Sequence, residues 1–390
     1  MNRRSPVRVC IVMPSHWSAK FGGAELQVRL LAERLVEDGR FELHFVAANA
    51  DPAHRPAGYA LHRLPSRRRI AGQYLLHAPA LARCLHEIAP DVLYQRVGSL
   101  LSGVAARYSR VAGRPLVWHV ASDNDLEPAV PPPSWRTPVQ ALGRRAVAEA
   151  ARQARVVVVQ TRAQAERLAV RHGRRDAVHV PNFHPLPEAV PAKPADRVTI
   201  CWLGNLKALK RPELFLRLAR DLRDEPGLEF VMAGALQMPR DDWATLLARE
   251  TRPGDVHWLG AIPPSKAREL LGRAHVLVNT SRWEGFPNTF IESWLRDVAV
   301  ASLAVDPDGV LETEGCGFHA HGDYAALRDG VRRLARDPAA RATLVRRAAE
   351  HARAHHSPAN LDRLVELLHA AAVAPAMTPG QLPPVAQAPW

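Results

Sequence analysis

The sequence predicts an α/β protein with two tandem Rossmann-like domains, each a doubly wound parallel sheet. Short apolar runs alternate with longer helical patterns, and this alternation restarts near residue 198. The run Val156–Val159 has no polar alternation, which is typical of a strand covered on both faces. A chain of 390 residues is too long for one ordinary core and suits two domains of about 150–200 residues.

The proline pattern places the domain boundaries. Strands such as VRVCIVM and FELHFVAA fall in a first domain, residues 1–182, and VTICWLGN opens a second domain, residues 198–352. Residues 183–197 lie in a proline-rich stretch and are predicted to be an extended linker. Residues 353–372 are expected to form a C-terminal helix that packs back on the first domain, and the uncharged tail 373–390 is expected to be disordered.

The net charge of +13 is unevenly distributed. Residues 1–190 carry 27 Lys and Arg against 15 Asp and Glu, whereas residues 191–390 carry 25 against 24. A basic first half suggests an anionic membrane surface or an acidic acceptor as a partner, although arginine used simply as a surface residue explains the excess equally well. Nucleic acid is a remote alternative, because no aromatic stacking platform accompanies the scattered arginines.

Cysteine usage and the apolar runs bear on the cellular compartment. The four cysteines, Cys10, Cys84, Cys201 and Cys316, are isolated in sequence and form no CxxC motif. The apolar run Val9–Met13 is shorter than the roughly 7–15 residues of a signal core, and no run approaches the ~18 residues of a membrane helix. We therefore expect a cytoplasmic protein.

Two loops after predicted strands are suited to anions. Gly22 and Gly23 open a helix, where free N–H groups can bind phosphate, although a plain turn is the alternative. In the second domain, Lys207, Lys210 and Arg211 precede a helix start. Cations oppose the helix dipole at that end, so they fit better if an anion binds there.

The segment SRWEGFPNTFIESW, residues 281–294, places Glu284 and Glu292 around a turn. A capping box from Thr289 to Glu292 would explain Glu292 as a residue that caps the start of a helix. It leaves Glu284 and the turn 285–288 unexplained. Two carboxylates beside such a turn could instead accept hydrogen bonds from sugar hydroxyls.

The motif EGFPNTFIE resembles the E-x7-E signature of retaining glycosyltransferases with the GT-B architecture, most similar to glycosyltransferase family 4. GGAE, VHVPNFHP, WLGNLKALKRPELF and VHWLGAIPPSKARELLGRAHVLVNTS occur in the family's order, so the resemblance covers about residues 10–370. It implies two domains facing a cleft and transfer of a hexose from a nucleotide diphosphate sugar to an acceptor hydroxyl. It implies no metal or other cofactor, a glycan or lipid-linked acceptor, and cell-surface polysaccharide or glycolipid synthesis, peripherally on the inner membrane face.

The resemblance also implies roles for individual residues. Glu292 would hold the ribose hydroxyls, Glu284 the transferred sugar, and Lys210 the leaving pyrophosphate. The implied catalytic set is Glu284, Lys210, His119 and Asp123. The implied substrate-binding set is Gly22, Gly23, Asn205, Lys207, Arg211, Ile262, Gly285, Phe286, Pro287, Asn288, Thr289 and Glu292, with Ile262 near the base.

The sequence departs from the family pattern in two places. Asn205 stands where the family usually has arginine, so one phosphate contact is missing or Lys207 or Arg211 replaces it. A histidine that is common in the family's first domain aligns with Ala121. His119 and Asp123 are the nearby candidates, together with Asp125, which lies close to the end of the same strand.

Other interpretations stay open at this point. A sugar-nucleotide epimerase or hydrolase could share the architecture. Residues 123–125 and 306–308 both fit the pattern D-x-D. In the other glycosyltransferase architecture that pattern binds a divalent metal, although a metal-free site fits the remaining motifs of this sequence better. Arg67–Arg69, followed by Ile70 and Tyr74, could touch a membrane or form a solvated loop.

Overall fold

The computed structural model describes residues 5–65, 73–126, 137–252 and 254–374. These residues form two compact units. The first unit contains the chain up to Asn182 together with the segment from Ala359, and the second contains Phe183–Pro358.

The first unit is built on a parallel sheet of seven strands in the order β3-β2-β1-β4-β5-β6-β7. Its strands are β1 Val7–Ser15, β2 Phe41–Asn49, β3 Ala60–Arg63, β4 Val92–Arg96, β5 Leu116–His119, β6 Val156–Val159 and β7 Val178–His179. Its helices are α1 Gly23–Glu37, α2 Gln73–Ile88, α3 Leu100–Ala112, α4 Thr137–Gln153, α5 Arg162–His172 and, from the end of the chain, α12 Ala359–Val373.

The second unit has a parallel sheet of six strands in the order β10-β9-β8-β11-β12-β13. Its strands are β8 Val198–Leu203, β9 Leu228–Ala233, β10 His257–Trp258, β11 Val276–Asn279, β12 Ala299–Ser302 and β13 Phe318–His319. Its helices are α6 Pro212–Asp221, α7 Arg240–Glu250, α8 Pro264–Arg273, α9 Asn288–Trp294, α10 Tyr324–Arg336 and α11 Pro338–His355.

The predicted fold class is confirmed in both units. Each sheet follows the strand order 3-2-1-4-5-6, extended by one strand in the first unit. The four residues Val156–Val159 are fully buried, as their uninterrupted apolar run predicts. In this topology the strand order reverses between β1 and β4 and between β8 and β11, and ligands bind beyond the carboxyl ends of the strands at such a point.

The linker prediction differs from the observed organisation. Residues 183–197 belong to the second unit. The ammonium of Lys193 donates hydrogen bonds to the carbonyls of Ala274 and Arg296, which ties this stretch to the unit's own helix ends. Burial lowers the pKa of Lys193 to about 8.

The C-terminal helix also differs in its bounds. Residues 353–355 complete α11, and a new helix, α12, begins at Ala359. Pro358 explains the break, because a proline disfavours helical backbone in the residue before it and suits the start of the next helix. The side chain of Arg34 in α1 bonds Asp362 at 2.9 Å, so α12 packs within the first unit. Residues 375–390 of the predicted tail lie outside the described residues.

Candidate functional site

Two loops meet at the point where the strand order of the second sheet reverses. One loop follows β8 (residues 204–211) and the other follows β11 (residues 280–287). The amide of Arg282 donates to the carbonyl of Leu209 at 3.0 Å, and the hydroxyl of Thr280 donates to the carbonyl of Lys210 at 2.6 Å. The buried indole of Trp202 donates to the Thr280 hydroxyl at 3.0 Å. The two loops are therefore held together as one structural element.

Glycine is required where the backbone after β9 passes close to the backbone after β8. Gly234 has a φ of +156°, and a Cβ atom there would lie 1.7 Å from the carbonyl oxygen of Gly204. The amide of Gly204 donates to the carbonyl of Ala233, and that of Gly234 to the carbonyl of Gly260. Beyond Gly260, the half-buried Ile262 precedes α8.

Lys210 and Glu284 form an ion pair across the two loops. The hydroxyl of Ser281 donates a second hydrogen bond to the same carboxylate oxygen at 2.7 Å. Burial alone would raise the pKa of Glu284, but the Lys210 cation and these hydrogen bonds outweigh it and hold the pKa below its usual range. The side chains keep 19% and 17% exposure, so an ionised pair can still be reached by a ligand.

Arg211 has a structural role in this loop. It adopts left-handed backbone, with φ 48° and ψ 56°. Its guanidinium donates to the carbonyls of Thr280 and Ser281 at 2.8 and 3.1 Å. The side chain expected to replace a missing phosphate contact is thus engaged with the backbone. Of the other candidates, Lys207 lies close enough to lower the pKa of Glu284, and Asn205 is half-buried.

The capping box predicted for Thr289 is wrong. Helix α9 begins at Asn288 with Pro287 at the N-cap position, so Thr289 lies inside the first turn and caps nothing. Pro287 has no backbone N–H, which leaves Gly285, Phe286 and Asn288 as the donors of this turn.

The Phe286 ring packs into the core of the second unit rather than lining a surface. Its centroid lies 4.3 Å from that of His356 and 5.9 Å from that of Trp294, and the residue is 7% exposed. Pro287 is buried beside it. These two side chains therefore anchor the turn.

His184 is a neighbour of Glu292 that sequence reasoning missed. Its Nε2 atom lies 2.9 Å from Asn288 Oδ1, and its Nδ1 atom lies 3.8 Å from Glu292 Oε1. Asn288 and Glu292 are one helical turn apart, so a single buried ring bridges both. Burial lowers the pKa of His184, which favours the neutral ring. The available signal was a histidine in VPNFHP, but the surrounding prolines directed attention to a linker.

In the first unit, His119 is a core residue. It ends β5 with 1% exposure, and its Nδ1 atom lies 2.8 Å from the hydroxyl of Tyr94. Burial holds the pKa of His119 well below its usual value. On the neighbouring strand, the guanidinium of Arg96 is buried and donates to Asn182 Oδ1 at 2.8 Å.

The two aspartates that follow β5 are also engaged. Asp123 pairs with Arg167 at 2.5 Å and accepts a hydrogen bond from Gln164 at 3.1 Å. Asp125 accepts from the amides of Ala121, Ser122 and Gly98 at 2.9–3.3 Å. Burial raises the pKa of Asp125 against the lowering effect of these bonds. Both carboxylates thus hold the loop in shape.

The remaining candidates are placed as follows. Gly22 precedes α1 with extended backbone, and Gly23 is exposed at the helix start. In the second D-x-D pattern, Asp306 accepts from the amides of Leu311 and Glu312. Arg67–Arg69, Ile70 and the Tyr74 side chain lie outside the described residues. Among the described helices, none is both long and apolar enough to cross a bilayer.

Sequence comparisons match both halves of the chain. Residues 22–182 match the family described as "Glycosyl transferase 4-like domain", and residues 187–351 match "Glycosyl transferases group 1". A curated relative, D-inositol 3-phosphate glycosyltransferase of Mycolicibacterium smegmatis, is 28% identical over 238 residues. The match spans 55% of this chain and about half (52%) of that relative.

Solved structures resemble the fold at low sequence identity. Sucrose-phosphate synthase of Thermosynechococcus elongatus superposes with a TM-score of 0.75 at 16% identity, covering 93% of this chain and 98% of that chain. HepE of Anabaena, in complex with UDP-glucose, gives 0.72 at 19% identity, covering 92% and 98%. WaaG, a glycosyltransferase involved in lipopolysaccharide biosynthesis, gives 0.72 at 13% identity, covering 92% and 99%. Each half of the chain thus matches a glycosyltransferase family model, and the chain has the two-domain GT-B fold of these solved structures.

Proposed function

We propose that this glycosyltransferase moves a hexose from a nucleotide diphosphate sugar to an acceptor hydroxyl, with retention of anomeric configuration and without a metal ion. The observation that carries the proposal is the Lys210–Glu284 pair where the strand order of the second sheet reverses. A cation and a carboxylate adjacent to each other match the two ends of such a donor, a diphosphate and a polyhydroxylated sugar.

The donor contacts follow from this arrangement. Lys210 turns its ammonium from Glu284 toward the diphosphate, where a charge-assisted hydrogen bond is worth about 1.5–3 kcal/mol. Glu284 then accepts hydrogen bonds from hydroxyls of the hexose. Glu292, with 17% of its side chain exposed, accepts from the ribose hydroxyls. The amides of Gly285 and Asn288 add neutral donors to the phosphates.

The chemical step needs stabilisation of the leaving group. The acceptor oxygen forms a bond to the anomeric carbon on the face from which the diphosphate departs. The bond from that carbon to the phosphate oxygen breaks, its electron pair stays on the diphosphate, and the acceptor proton passes to the same phosphate group. Lys210 stabilises the developing negative charge in the role that a metal ion has in other enzymes.

The relatives and the charge distribution support a proposal for the acceptor, the cellular role and membrane binding. HepE was solved with UDP-glucose, and WaaG is described as acting in lipopolysaccharide biosynthesis. We therefore propose a glycan or lipid-linked acceptor and a role in cell-surface polysaccharide or glycolipid synthesis. The basic first half of the chain supports peripheral binding to the anionic inner membrane face.

A thermal-shift screen with UDP-, GDP- and ADP-sugars, in buffer containing EDTA, tests the donor class. We expect the sugars of one nucleotide to raise the melting temperature of the wild type. The same ligand should raise the melting temperature of Glu284→Gln by a smaller amount. The donor so identified is then incubated with glycan and lipid-linked hydroxyl acceptors, and the product is analysed by NMR.

An α-linked product from an α-linked donor, formed in EDTA, supports the proposal. Free monosaccharide or an epimerised nucleotide as the sole product would identify a hydrolase or an epimerase instead. If EDTA abolished transfer and added Mg²⁺ or Mn²⁺ restored it, the metal-free mechanism would be contradicted.

A further inference from the structure

Three potential metal ligands converge at the carboxyl end of β13. His319 ends the strand and His321 follows two residues later, with ring centroids 4.3 Å apart. The Nε2 atom of His321 lies 3.3 Å from Glu312 Oε1. One nitrogen or oxygen from each of the three side chains falls within 4.8 Å of the others. This spacing allows one small cation to contact all three.

His319 has a buried nitrogen that the described residues leave without a partner. Its side chain is 13% exposed, and no described group lies within hydrogen-bonding distance of Nε2. Its other nitrogen, Nδ1, faces Asp306 Oδ2 at 3.8 Å. A buried polar atom without a partner destabilises a fold, so a ligand at Nε2 would remove an existing cost.

Asp306 is positioned to orient the His319 ring. Its two carboxylate oxygens accept from the amides of Leu311 and Glu312 at 2.8 and 3.3 Å, and its side chain is 5% exposed. A carboxylate that faces the second nitrogen of a histidine is the usual outer partner of a metal-binding imidazole. Asp306 is thus an outer residue of the site, in addition to the three side chains that could contact an ion directly.

His321 has a backbone conformation that fits a functional constraint. Its φ of +50° lies in the left-handed region, which is uncommon for residues other than glycine. This conformation turns the chain immediately after β13, where the His321 ring lies beside that of His319. Strain of this kind is often retained where a side chain must reach a ligand.

We propose that Glu312, His319 and His321 bind one divalent transition metal ion of the Zn²⁺ class, with Asp306 orienting His319. Two imidazoles and one carboxylate, with a fourth position left to water, are a ligand set that zinc accepts. The bound ion would fasten the end of β13 to the loop that connects β12 to β13, which carries Glu312. The site uses none of the residues proposed for the donor, so it stands or fails independently of the proposed reaction.

A neighbouring group is a weaker candidate. Glu314, Cys316 and His351 also converge, but among the described residues none of their buried side-chain nitrogen or oxygen atoms lacks a partner, unlike His319 Nε2. Burial raises the pKa of the Cys316 thiol to about 12, and zinc binds the thiolate. The Arg347 guanidinium beside Gly315 adds a positive charge nearby.

Zinc titration of the full chain tests the site. The protein is stripped with EDTA, desalted, and titrated with Zn²⁺ against a chromogenic chelator. We expect one equivalent to bind tightly to the wild type and to His257→Gln, a control that changes an exposed histidine in β10. Asp306→Asn should weaken binding by about 10- to 100-fold, as loss of an outer carboxylate usually does. His319→Gln and His321→Gln should weaken it by at least as much.

The melting temperature gives a second readout. Zn²⁺ should raise it for the wild type and for His257→Gln, but not for His321→Gln, whose side chain is 62% exposed and tolerates replacement. Equal zinc affinity in wild type and His321→Gln would overturn the assignment. If His319→Gln fails to fold, the affinity of His321→Gln alone tests the site. Loss of binding in Cys316→Ser, with binding kept in His321→Gln, would assign the ion to the neighbouring group instead.

Discussion

The two units share a strand order but differ at the carboxyl edges of their sheets. In the second unit, Lys210 and Glu284 meet there as a partly exposed ion pair. In the first unit, the polar residues at the end of β4 and at and after the end of β5 are engaged within the fold: Arg96 and His119 are each 1% exposed, and Asp125 accepts from three backbone amides. One topology thus supports two different uses of the same edge.

The difference shows what the topology determines and what the loops determine. The reversal of strand order creates a place for a ligand in both sheets. In the second unit, Lys210 and Glu284 form a partly exposed ion pair at that place. In the first unit, the polar side chains identified here stabilise the loops after β4 and β5. We therefore expect substitutions in the second unit to change donor chemistry and those in the first to change stability.

The largest expected effect is that of Lys210→Ala on turnover. Removal of one group that stabilises charge in a transition state typically lowers kcat by about 10²–10³-fold. Steady-state kinetics with the donor found in the screen would measure it. Lys266→Ala, which removes an exposed lysine of α8, is the matched control. A kcat equal to that of the wild type would show that Lys210 does not act on the leaving group.

Glu292→Ala should weaken donor binding with little change in kcat. Loss of a hydrogen bond to a charged group costs about 1.5–3 kcal/mol, which corresponds to roughly 10- to 150-fold in affinity. Calorimetric titration with UDP, GDP and ADP would measure the change against Glu269→Ala, an exposed glutamate in the same unit. If the nucleoside diphosphate bound both variants equally, the ribose contact would have to lie elsewhere.

Asp125→Ala tests the contrast from the side of the first unit. The change leaves partly buried backbone amides without their acceptor, at a cost of about 1–3 kcal/mol in the free energy of unfolding. Urea denaturation would measure the loss, and Asp125→Asn should keep part of the stability. The affinity for UDP, GDP or ADP should stay unchanged. A weakened affinity with intact stability would indicate that the first unit's carboxylate contacts the donor.

His184→Ala should raise the donor KM by a few-fold. The ring holds Asn288 and lies beside Glu292, and a neutral hydrogen bond contributes about 0.5–1.5 kcal/mol. His184→Gln, which can still donate to Asn288, should recover most of the affinity. If the alanine variant changed the melting temperature and left KM unaltered, the histidine would be a packing residue only.

The smallest expected effect is in the acid stability of the ion pair. The pKa of Glu284 lies below its ordinary value of 4.5, so its contribution to stability is fully present above that pH. It is lost as the pH falls through the lowered value. The stability difference between wild type and Glu284→Gln should therefore be constant near neutral pH and shrink in acid. Urea denaturation across the pH range would measure it, and a difference that grew in acid would contradict the assigned charge.

The sequence predicted the fold and the neighbourhood of the site more fully than its contacts. Alternating apolar and helical patterns identified both sheets, and the residues on either side of β8 and β11 identified the loops that carry Lys210 and Glu284. It did not predict that Arg211 would bind backbone carbonyls. Nor did it predict that His184 would reach Asn288, 104 residues further along the chain. Such contacts depend on long-range packing, which leaves no local pattern.

Hydrogen–deuterium exchange with and without bound nucleotide tests the central claim most directly. UDP, GDP and ADP are each added at saturating concentration, and amide exchange is followed along the full chain. We predict that the nucleotide that binds protects residues 204–211 and 281–292 of the second unit more strongly than residues 96–99 and 121–126 of the first. Protection confined to the first unit, with exchange unchanged around Lys210 and Glu284, would contradict the account.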